Sequence, residues 1–156
     1  MGAFRIRAFR IADRRFPIFD GAGARLVGCR WNSPGHSVIY AAETFSGAIL
    51  EMLAHANLNR LPRTQAYVEI AIPGDIGIER VGINDVPGWQ HEDQTAARRF
   101  GDQWLSELRT AVLMVPSIVT QGMEHNVLIN PMHPNFYRIT ASDPQDVIWD
   151  DRLFHH

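Results

Sequence analysis

The sequence predicts an α+β fold, with a compact mixed sheet in a single domain that spans residues 1–156. Segments with strand character outnumber helical segments and do not alternate regularly with them, which argues against a doubly wound βαβ sheet. The chain has 156 residues, of which 46% are hydrophobic and 21% are charged, and this composition suits one domain with a substantial core. No internal repeat or low-complexity linker divides the sequence.

The first part of the chain is predicted to contain strands followed by a helix. The segment "FRIRAFRI" (4–11) alternates in part, and "SVIYAAE" (37–43) is rich in β-branched residues. The glycine-rich connection between them is expected to include a short strand over residues 27–32. A helix then runs from Ser46, the expected N-cap, to Asn57, where asparagine and proline residues end it.

The middle of the chain is predicted to contain one strand, one loop and one helix. The segment "AYVEIAIP" (66–73) alternates as a strand does and ends at a proline. Residues 76–89 are expected to form a loop, and "QTAARRFGDQWLSELR" (94–109) has the length and charge pattern of a helix. The buried face of this helix is expected to consist of Phe100, Trp104 and Leu108, which recur every four residues.

Three short apolar segments bounded by turn residues complete the predicted sheet. They are "AVLMVPS" (111–117), "HNVLINP" (125–131) and "QDVIWDD" (145–151). Asn126 and Asn130 are expected to be turn or strand-end residues. With these three segments, strands outnumber helices in the predicted order of elements.

Charge and residue usage disfavour several classes of protein. The net charge of −2 provides no general positive field for a polyanion, so no direct nucleic-acid partner is expected. All 15 basic residues are arginine, which excludes a lysine nucleophile, a Schiff base and a P-loop lysine. The apolar runs are too short for a membrane span, arginines interrupt the N-terminal segment where a signal peptide is apolar, and the single Cys29 forms no intrachain disulfide. We therefore expect a cytoplasmic protein.

Familiar catalytic and metal-binding motifs are missing. The segment "GAGARLVG" (21–28) has Leu26 where a dinucleotide-binding fingerprint requires its third glycine. The seven histidines form no H-E-x-x-H motif, and His155 and His156 are interpreted as a tail, so no metal is expected. No G-x-S-x-G elbow is present and no partner marks Cys29 as a nucleophile.

The segment "ILEMLAH" (49–55) carries the strongest functional signal. At about 100° per residue, Glu51 and His55 share one helix face opposite the strongest apolar stripe. A solvated pair at this spacing contributes only about 0.2–0.5 kcal/mol. The neighbours on this face are small or apolar rather than charged, which suits a carboxylate in the wall of a cleft. A surface ion pair and a cleft residue are both open interpretations at this point.

Two further segments supply polar and aromatic candidates. In "CRWNSPGHSVIY" (29–40), Arg30 and Trp31 are expected at the end of a short strand and Tyr40 at the end of the next. Adjacent strands of this kind can bring the guanidinium and the phenol to the opening of the same cleft. A guanidinium can hold a phosphate through a bidentate fork, and an aromatic ring can stack on a planar cationic ring. Ser117 is either a turn-forming hydroxyl or a polar contact in the same cleft.

These segments together resemble the RES-domain family, the toxin half of Xre-RES toxin–antitoxin pairs, which is named for its Arg, Glu and Ser positions. The resemblance rests on "FRI" (9–11), "GCRWNSPG" (28–35), "VIYAAE" (38–43), "ILEMLAH" (49–55), "FGDQWL" (100–105), "VPSIV" (115–119) and "NVLINP" (126–131). In order and spacing they cover nearly the whole chain. Many relatives have a second glycine where this chain has Cys29, which affects the expected width of the pocket.

The resemblance implies a fold similar to ADP-ribosyltransferase toxins and an NAD+-binding cleft, in which NAD+ is a substrate degraded by hydrolysis or phosphorolysis. By position it implies Glu51, Arg30 and Ser117 as catalytic residues, with Arg30, Trp31, Tyr40, His55 and Ser117 contacting NAD+. Cleavage of the nicotinamide–ribose bond passes through an oxocarbenium-like state, which an anionic carboxylate stabilises. The cationic pyridinium leaves as neutral nicotinamide, so no general acid is needed.

The resemblance also implies a cognate Xre-type antitoxin that covers the active site. Within enzymes, the alternative is a mono-ADP-ribosyltransferase that modifies a cellular protein, because the NAD+ half of the site is the same. Outside enzymes, a non-catalytic binding module and an RNA-directed toxin are the alternatives, and the latter predicts tight, strongly salt-dependent RNA binding.

Overall fold

The computed structural model describes residues 5–55 and 63–154, which form a single mixed eight-stranded sheet with three α-helices. In chain order the elements are β1 (Ile6–Asp13), α1 (Ala22–Val27), β2 (Ile39–Ala42), α2 (Phe45–His55), β3 (Gln65–Ile72), β4 (Ile78–Arg80), α3 (Thr95–Ser106), β5 (Val112–Pro116), β6 (His125–Ile129), β7 (Thr140–Ala141) and β8 (Gln145–Asp146). Two short 3-10 helices lie at Phe136–Arg138 and Asp151–Phe154. The α+β prediction is confirmed.

The strand order β4-β5-β6-β2-β1-β3-β7 places the two longest strands, β1 and β3, side by side, and β8 also pairs with β3. Among the described residues, β4 and β5 are parallel and every other pair is antiparallel. No helix in this part of the chain has the length and apolar character needed to cross a membrane.

Alternation along the strands gives the sheet two apolar faces with different partners. On the first face, Ile70 of β3 and Val112 of β5 belong to one buried cluster although four strand pairings separate them, so the sheet curls around this core. On the second face, Leu113 and Leu128 pack in a cluster that includes Trp104 of α3. Helix α2 packs on β1 and β2.

Helix α3 approaches the turn around Trp31 at a glycine. A Cβ atom on Gly101 would lie 1.7 Å from the carbonyl oxygen of Trp31, so only glycine allows this approach. The Trp31 ring is 2% exposed and stacks on Trp89 with ring centroids 6.4 Å apart, while Phe100 meets it edge-on at 6.2 Å. The contact therefore joins α3, the Trp31 turn and the loop that carries Trp89 in one aromatic cluster.

The predicted buried stripe of α3 is correct at two positions and wrong at the third. Phe100 and Trp104 pack in the core, but Leu108 is 43% exposed. Helix α3 ends at Ser106, and Leu108 has a φ of 52°, so the backbone has left the helical path before the stripe is completed. The predicted end at residue 109 was therefore too late.

The residues expected to form a strand over 27–32 form the end of α1 and a turn instead. Gly28 adopts a φ of 75°, which ends the helix in a conformation that glycine favours. Asn32 then closes the turn, since its Oδ1 accepts from the Cys29 amide at 3.2 Å and its Nδ2 donates to the Ala24 carbonyl at 3.0 Å. Local side-chain bonding outweighs the strand character of this segment.

Two other predicted bounds change because of tertiary pairing. Residues 76–89 were expected to form a loop, but β4 lies within them because it pairs in parallel with β5. The predicted strand over 145–151 is reduced to the two residues of β8, and Ile148 is 95% exposed. The predicted start of the first strand at Phe4 lies outside the described residues.

Helix α2 begins one residue earlier than the predicted N-cap. Thr44 caps it, because its Oγ1 accepts from the Gly47 amide at 2.9 Å, and Ser46 lies in the first turn. The buried residues of the helix are Gly47 and Ala48, whereas Leu50 on the other side is 45% exposed. The predicted end at Asn57 lies outside the described residues.

We predict that Gly101→Ala strongly destabilises the protein, whereas Gly23→Ala does not. The methyl group at position 101 forces α3 away from Trp31, which should lower the free energy of unfolding by about 3 kcal/mol. Gly23 also lies in a helix, but a Cβ there meets nothing within 4 Å, and alanine should raise the free energy by about 0.5–1 kcal/mol. Urea unfolding of both variants measures the difference, and equal midpoints would contradict this account of α3 packing.

Candidate active site

The side chain of Glu51 projects from α2 to the hairpin of β5 and β6. Its Oε1 accepts hydrogen bonds from Ser117 Oγ at 3.1 Å and from Asn126 Nδ2 at 3.0 Å. Its Oε2 lies 3.6 Å from Nε2 of His55 one turn further along the helix. The Glu51 side chain is 22% exposed and that of His55 is 80% exposed, so the carboxylate lies in a partly covered recess with His55 at its rim.

The hairpin fixes both hydrogen-bond donors to Glu51. Ser117 follows the last residue of β5 and is 2% exposed; its amide donates to the Glu124 carbonyl at 3.0 Å, and its own carbonyl accepts from Gly122 at 2.8 Å. Asn126 lies in β6 and pairs with Val115 of β5. The hydroxyl and the amide thus come from the two sides of one hydrogen-bonded hairpin, which limits their movement relative to each other.

No arginine lies within ion-pair distance of Glu51 among residues 5–55 and 63–154, and within this part of the chain His55 is its ion-pairing candidate. Two neighbouring carboxylates already have partners of their own. Glu124 accepts from the Thr44 hydroxyl at 2.8 Å, and Glu43 accepts from the His125 amide at 2.8 Å. The Glu51 carboxylate is therefore oriented by neutral donors, from Ser117 and Asn126.

Tyr40 lies on the same face of the sheet as Asn126. It pairs with Leu128, two residues along β6 from Asn126. The Tyr40 hydroxyl accepts from the Trp31 amide at 3.1 Å and donates to Asn32 Oδ1 at 2.7 Å, and burial raises the pKa of this phenol well above its usual range. Tyr40 is thus a neutral residue that ties β2 to the Trp31 turn.

Arg30 and Trp31 leave this turn in different directions. The Arg30 guanidinium donates through Nη1 to the carbonyls of Trp89 and His91, both at 3.0 Å. Its other edge makes no hydrogen bond to the described part of the chain. The Trp31 side chain is buried beneath Trp89 and belongs to the core.

A cavity of about 320 Å³ separates the loop held by Arg30 from the loop that follows Ser117. It is lined by Ile83, Asn84, Trp89, Gln90, Ile118 and Gln121. Its lining combines three carboxamides with apolar surface.

Of the six sequence-predicted site residues, the structure brings Glu51 next to Ser117 and His55. Tyr40 lies on the same sheet face as Asn126, which also contacts Glu51. Arg30 lies on the turn that Tyr40 holds and reaches the Trp89 loop, while the Trp31 ring is enclosed in the core.

Sequence reasoning missed Asn126 and Arg10. Asn126 was interpreted as a turn or strand-end residue, but its amide contacts Glu51. The signal was the strand alternation that places it on the face of Leu128. Arg10 donates to the carbonyl of Tyr40 at 2.8 Å and to that of Ile18 at 2.7 Å. It therefore supports β2 from the first face of the sheet, on which Ala8 is buried.

The single cysteine and the histidines form no further reactive centre in the described residues. Burial raises the pKa of the Cys29 thiol, which keeps it protonated and weakly nucleophilic. Within residues 5–55 and 63–154, no three His, Cys, Asp or Glu side chains gather in a way that would hold a metal ion.

The fold and the sequence both match known proteins. The structure superimposes on one chain of the crystal structure of the M. tuberculosis MbcT-MbcA toxin–antitoxin complex with a TM-score of 0.73 and 15% sequence identity, over 97% of this chain and 88% of that chain. This likeness shows a shared fold. The family model of the RES domain matches residues 5–150, so the chain belongs to the RES-domain family, as the sequence resemblance predicted.

Curated relatives agree with this assignment. The "Prs ADP-ribosylating toxin" of Sphingobium sp. (strain YBL2) is 37% identical over 138 residues, which cover 86% of this chain and 85% of that protein. The "Toxin Res" of Yersinia enterocolitica is 32% identical over 93% of this chain and 97% of its own length. The "Toxin Res" of Pseudomonas putida is 30% identical over 86% and 92%.

We predict that Tyr40→Phe lowers stability through the lost hydroxyl. The substitution keeps the ring but removes the partner of the Trp31 amide and of Asn32 Oδ1, which should cost about 1–3 kcal/mol in the free energy of unfolding. Tyr137→Phe is the matched control, because Tyr137 is 79% exposed. Chemical unfolding compares the two variants. An unchanged free energy of unfolding for Tyr40→Phe would show that the hydroxyl does not stabilise the turn.

Proposed function

We propose that this chain is the toxin of a bacterial type II toxin–antitoxin pair and that it cleaves the nicotinamide–ribose bond of NAD+. The observation that carries the chemistry is the partly buried carboxylate of Glu51, which two neutral donors orient and which has no arginine partner in the described residues. The RES-domain family and the curated relatives named as toxins support the biological role.

Glu51 supplies the electrostatic part of this reaction. As the nicotinamide–ribose bond lengthens, positive charge develops on the ribose, and a nearby carboxylate stabilises that charge more than it stabilises the ground state. The bond electrons neutralise the departing pyridinium, so no proton has to be delivered to the leaving group. A single carboxylate is therefore sufficient, and Oε2 is the oxygen available to face the ribose.

The remaining candidates bind and position NAD+ in this proposal. Arg30 presents its unbonded guanidinium edge to the pyrophosphate while Nη1 holds the Trp89 loop. Tyr40 orients the nicotinamide riboside from the sheet face, and Ser117 and His55 contact ribose or phosphate beside Glu51. Trp31 acts by supporting Trp89 at the cavity.

The ADP-ribose that remains is captured by water or phosphate, which makes the chain an NAD+ glycohydrolase or phosphorylase. A specific observation favours a second candidate, mono-ADP-ribosylation of a cellular protein, because a relative with 37% identity is named an ADP-ribosylating toxin. Both candidates share the first step and differ in the acceptor.

An antitoxin of the Xre type that covers the active site is the proposed partner. Two large apolar side chains that line the cavity are exposed, Ile83 at 55% and Ile118 at 40%, and Met123 in the loop that follows Ser117 is 83% exposed. Exposed apolar residues clustered beside a polar cleft suit a protein interface. The fold shared with a chain of a known toxin–antitoxin complex agrees with this proposal.

We predict that Glu51→Gln abolishes release of nicotinamide from NAD+ and preserves the fold. Glutamine keeps the size of the side chain but removes its charge, so the rate should fall at least about 1,000-fold. Release of nicotinamide, followed by chromatography, measures the effect. Glu69→Gln is the matched control, since Glu69 pairs with Arg7 on the exposed part of the sheet and should retain wild-type activity. Wild-type turnover by Glu51→Gln would refute the assignment.

We predict that the reaction products identify the acceptor. Purified protein is incubated with NAD+ labelled in the adenylate, with and without phosphate and with and without cell lysate. Free ADP-ribose indicates hydrolysis, ADP-ribose-1″-phosphate indicates phosphorolysis, and a labelled protein band indicates transfer. Degradation in buffer or phosphate alone is the expected outcome of the first candidate, whereas label that appears solely on protein supports the second.

A further inference from the structure

We infer that Asn126 is a positioning residue for this reaction: its side-chain amide holds the Glu51 carboxylate in the orientation that presents Oε2 to the substrate. The inference rests on the proposed function and adds a residue that sequence reasoning interpreted as structural. It is carried by the 3.0 Å hydrogen bond from Asn126 Nδ2 to Glu51 Oε1.

The chemistry of the two groups fixes the direction of this hydrogen bond. An ionised carboxylate can only accept, so Asn126 must turn its NH2 group, and not its carbonyl, toward Glu51. Ser117 donates to the same oxygen from the end of β5. Two donors on Oε1 hold the carboxylate from two directions and leave Oε2 on the side of His55.

The backbone of Asn126 is itself well fixed, so its amide is oriented before substrate arrives. Asn126 pairs with Ala42 of β2 on one side and with Val115 of β5 on the other, which places it in an interior strand of the sheet. A residue on an interior strand positions a functional group more accurately than a residue on a loop.

A comparison with Asn130 separates this role from an ordinary structural one. The side chain of Asn130 bonds to backbone groups, donating to the Leu105 carbonyl at 3.3 Å and accepting from the Met132 amide at 3.0 Å. The Asn126 side chain instead donates to the Glu51 carboxylate. An amide that donates its hydrogen bond to the candidate catalytic carboxylate orients that carboxylate.

The charges around Glu51 make a neutral donor important at this position. From its own helix, His55 approaches Oε2 at 3.6 Å. From the hairpin, Glu124 lies beside Gly47, one turn before Glu51, with Oε1 3.1 Å from the position a Cβ would take there. Glu43 and His125 face each other at 3.5 Å close to the start of α2. The surroundings are thus already rich in carboxylates, and another one at position 126 would repel Glu51 directly.

The test compares Asn126→Leu and Asn126→Asp, which are close in size to asparagine. Leucine removes the donor, so kcat for nicotinamide release should fall about 10- to 100-fold while KM changes less than about threefold. Aspartate places a second carboxylate next to Oε1, and two carboxylates this close cannot both ionise easily. The acid limb of its pH–rate profile should therefore move up by about one pH unit or more, while the leucine variant, which only loses one donor to the ionised carboxylate, should move the limb up by less.

Asn135→Asp is the charge-matched control, because Asn135 is exposed in the turn after β6, and its profile should match the wild type. Thermal melting of every variant separates a loss of folding from a loss of rate. Equal losses in kcat for both Asn126 variants with an unmoved acid limb would overturn the inference, as would wild-type rates in both.

The outcome is distinguishable from failure of the proposed function. If the wild-type protein releases nicotinamide and Glu51→Gln does not, the proposed function stands and the Asn126 variants alone decide the inference. If the wild-type protein releases none, the proposed function fails. NMR then decides whether position 126 contacts Glu51: the side-chain carboxyl resonance of Glu51 is assigned through Glu51→Gln and followed over pH. A titration moved upward in Asn126→Asp supports direct contact, and an unmoved one overturns it.

Discussion

The contact between Gly101 and the Trp31 backbone holds α3 against the turn that carries Arg30 and Trp31. Because no side chain separates α3 from the turn at this point, the Trp31 ring can be enclosed between Trp89 and Phe100. Arg30 leaves the same turn and reaches the Trp89 loop. The position of the candidate phosphate-binding guanidinium therefore depends on a packing constraint in the core rather than on a contact within the site.

The Glu51 side of the candidate site depends on polar interactions, and partial burial of its carboxylate costs hydration. A carboxylate that is 22% exposed has lost part of its hydration, and neutral donors replace that hydration without cancelling the charge. An arginine partner would stabilise Glu51 more, but it would also neutralise the charge on which the proposed stabilisation of an oxocarbenium ion depends. Under the proposed function, the arrangement favours reactivity over stability, which is a usual compromise at catalytic centres.

The sequence predicted the elements whose character is local and missed those that depend on pairing or side-chain bonding. Alternation in residues 66–73 and the helix expected from Ser46 were visible in single segments, and both elements formed, although Thr44 rather than Ser46 caps the helix. Strand β4 was missed because three residues become a strand only through pairing with β5. The expected strand over 27–32 failed because the Asn32 side chain closes a turn there, an outcome that strand propensity cannot anticipate.

The same distinction applies to the candidate site. Glu51 stood out because its helix face lacked other charges, and Ser117 followed from the resemblance. Asn126 did not stand out, since its role requires β6 to lie beside β5 with the side chain turned toward α2. Arg30 was expected at the opening of the cleft because it was expected at the end of a short strand, which the chain does not form. It lies instead on a turn that is anchored on Tyr40.

The residues that hold Glu51 are separate from the exposed apolar residues of the neighbouring loops. This separation bears on how related chains with one fold could use different acceptors. In the proposed reaction, cleavage of the nicotinamide–ribose bond uses Glu51 on α2 and its two donors on the hairpin of β5 and β6. Capture of the ribose in that proposal needs access to its anomeric carbon. Ile118 and Met123 are exposed in the loop that follows Ser117, so we expect changes there to affect which molecule can approach while the strands that hold the carboxylate stay in place. We therefore expect the first step to be common to chains that keep the Glu51 arrangement, and the acceptor to vary with the rim.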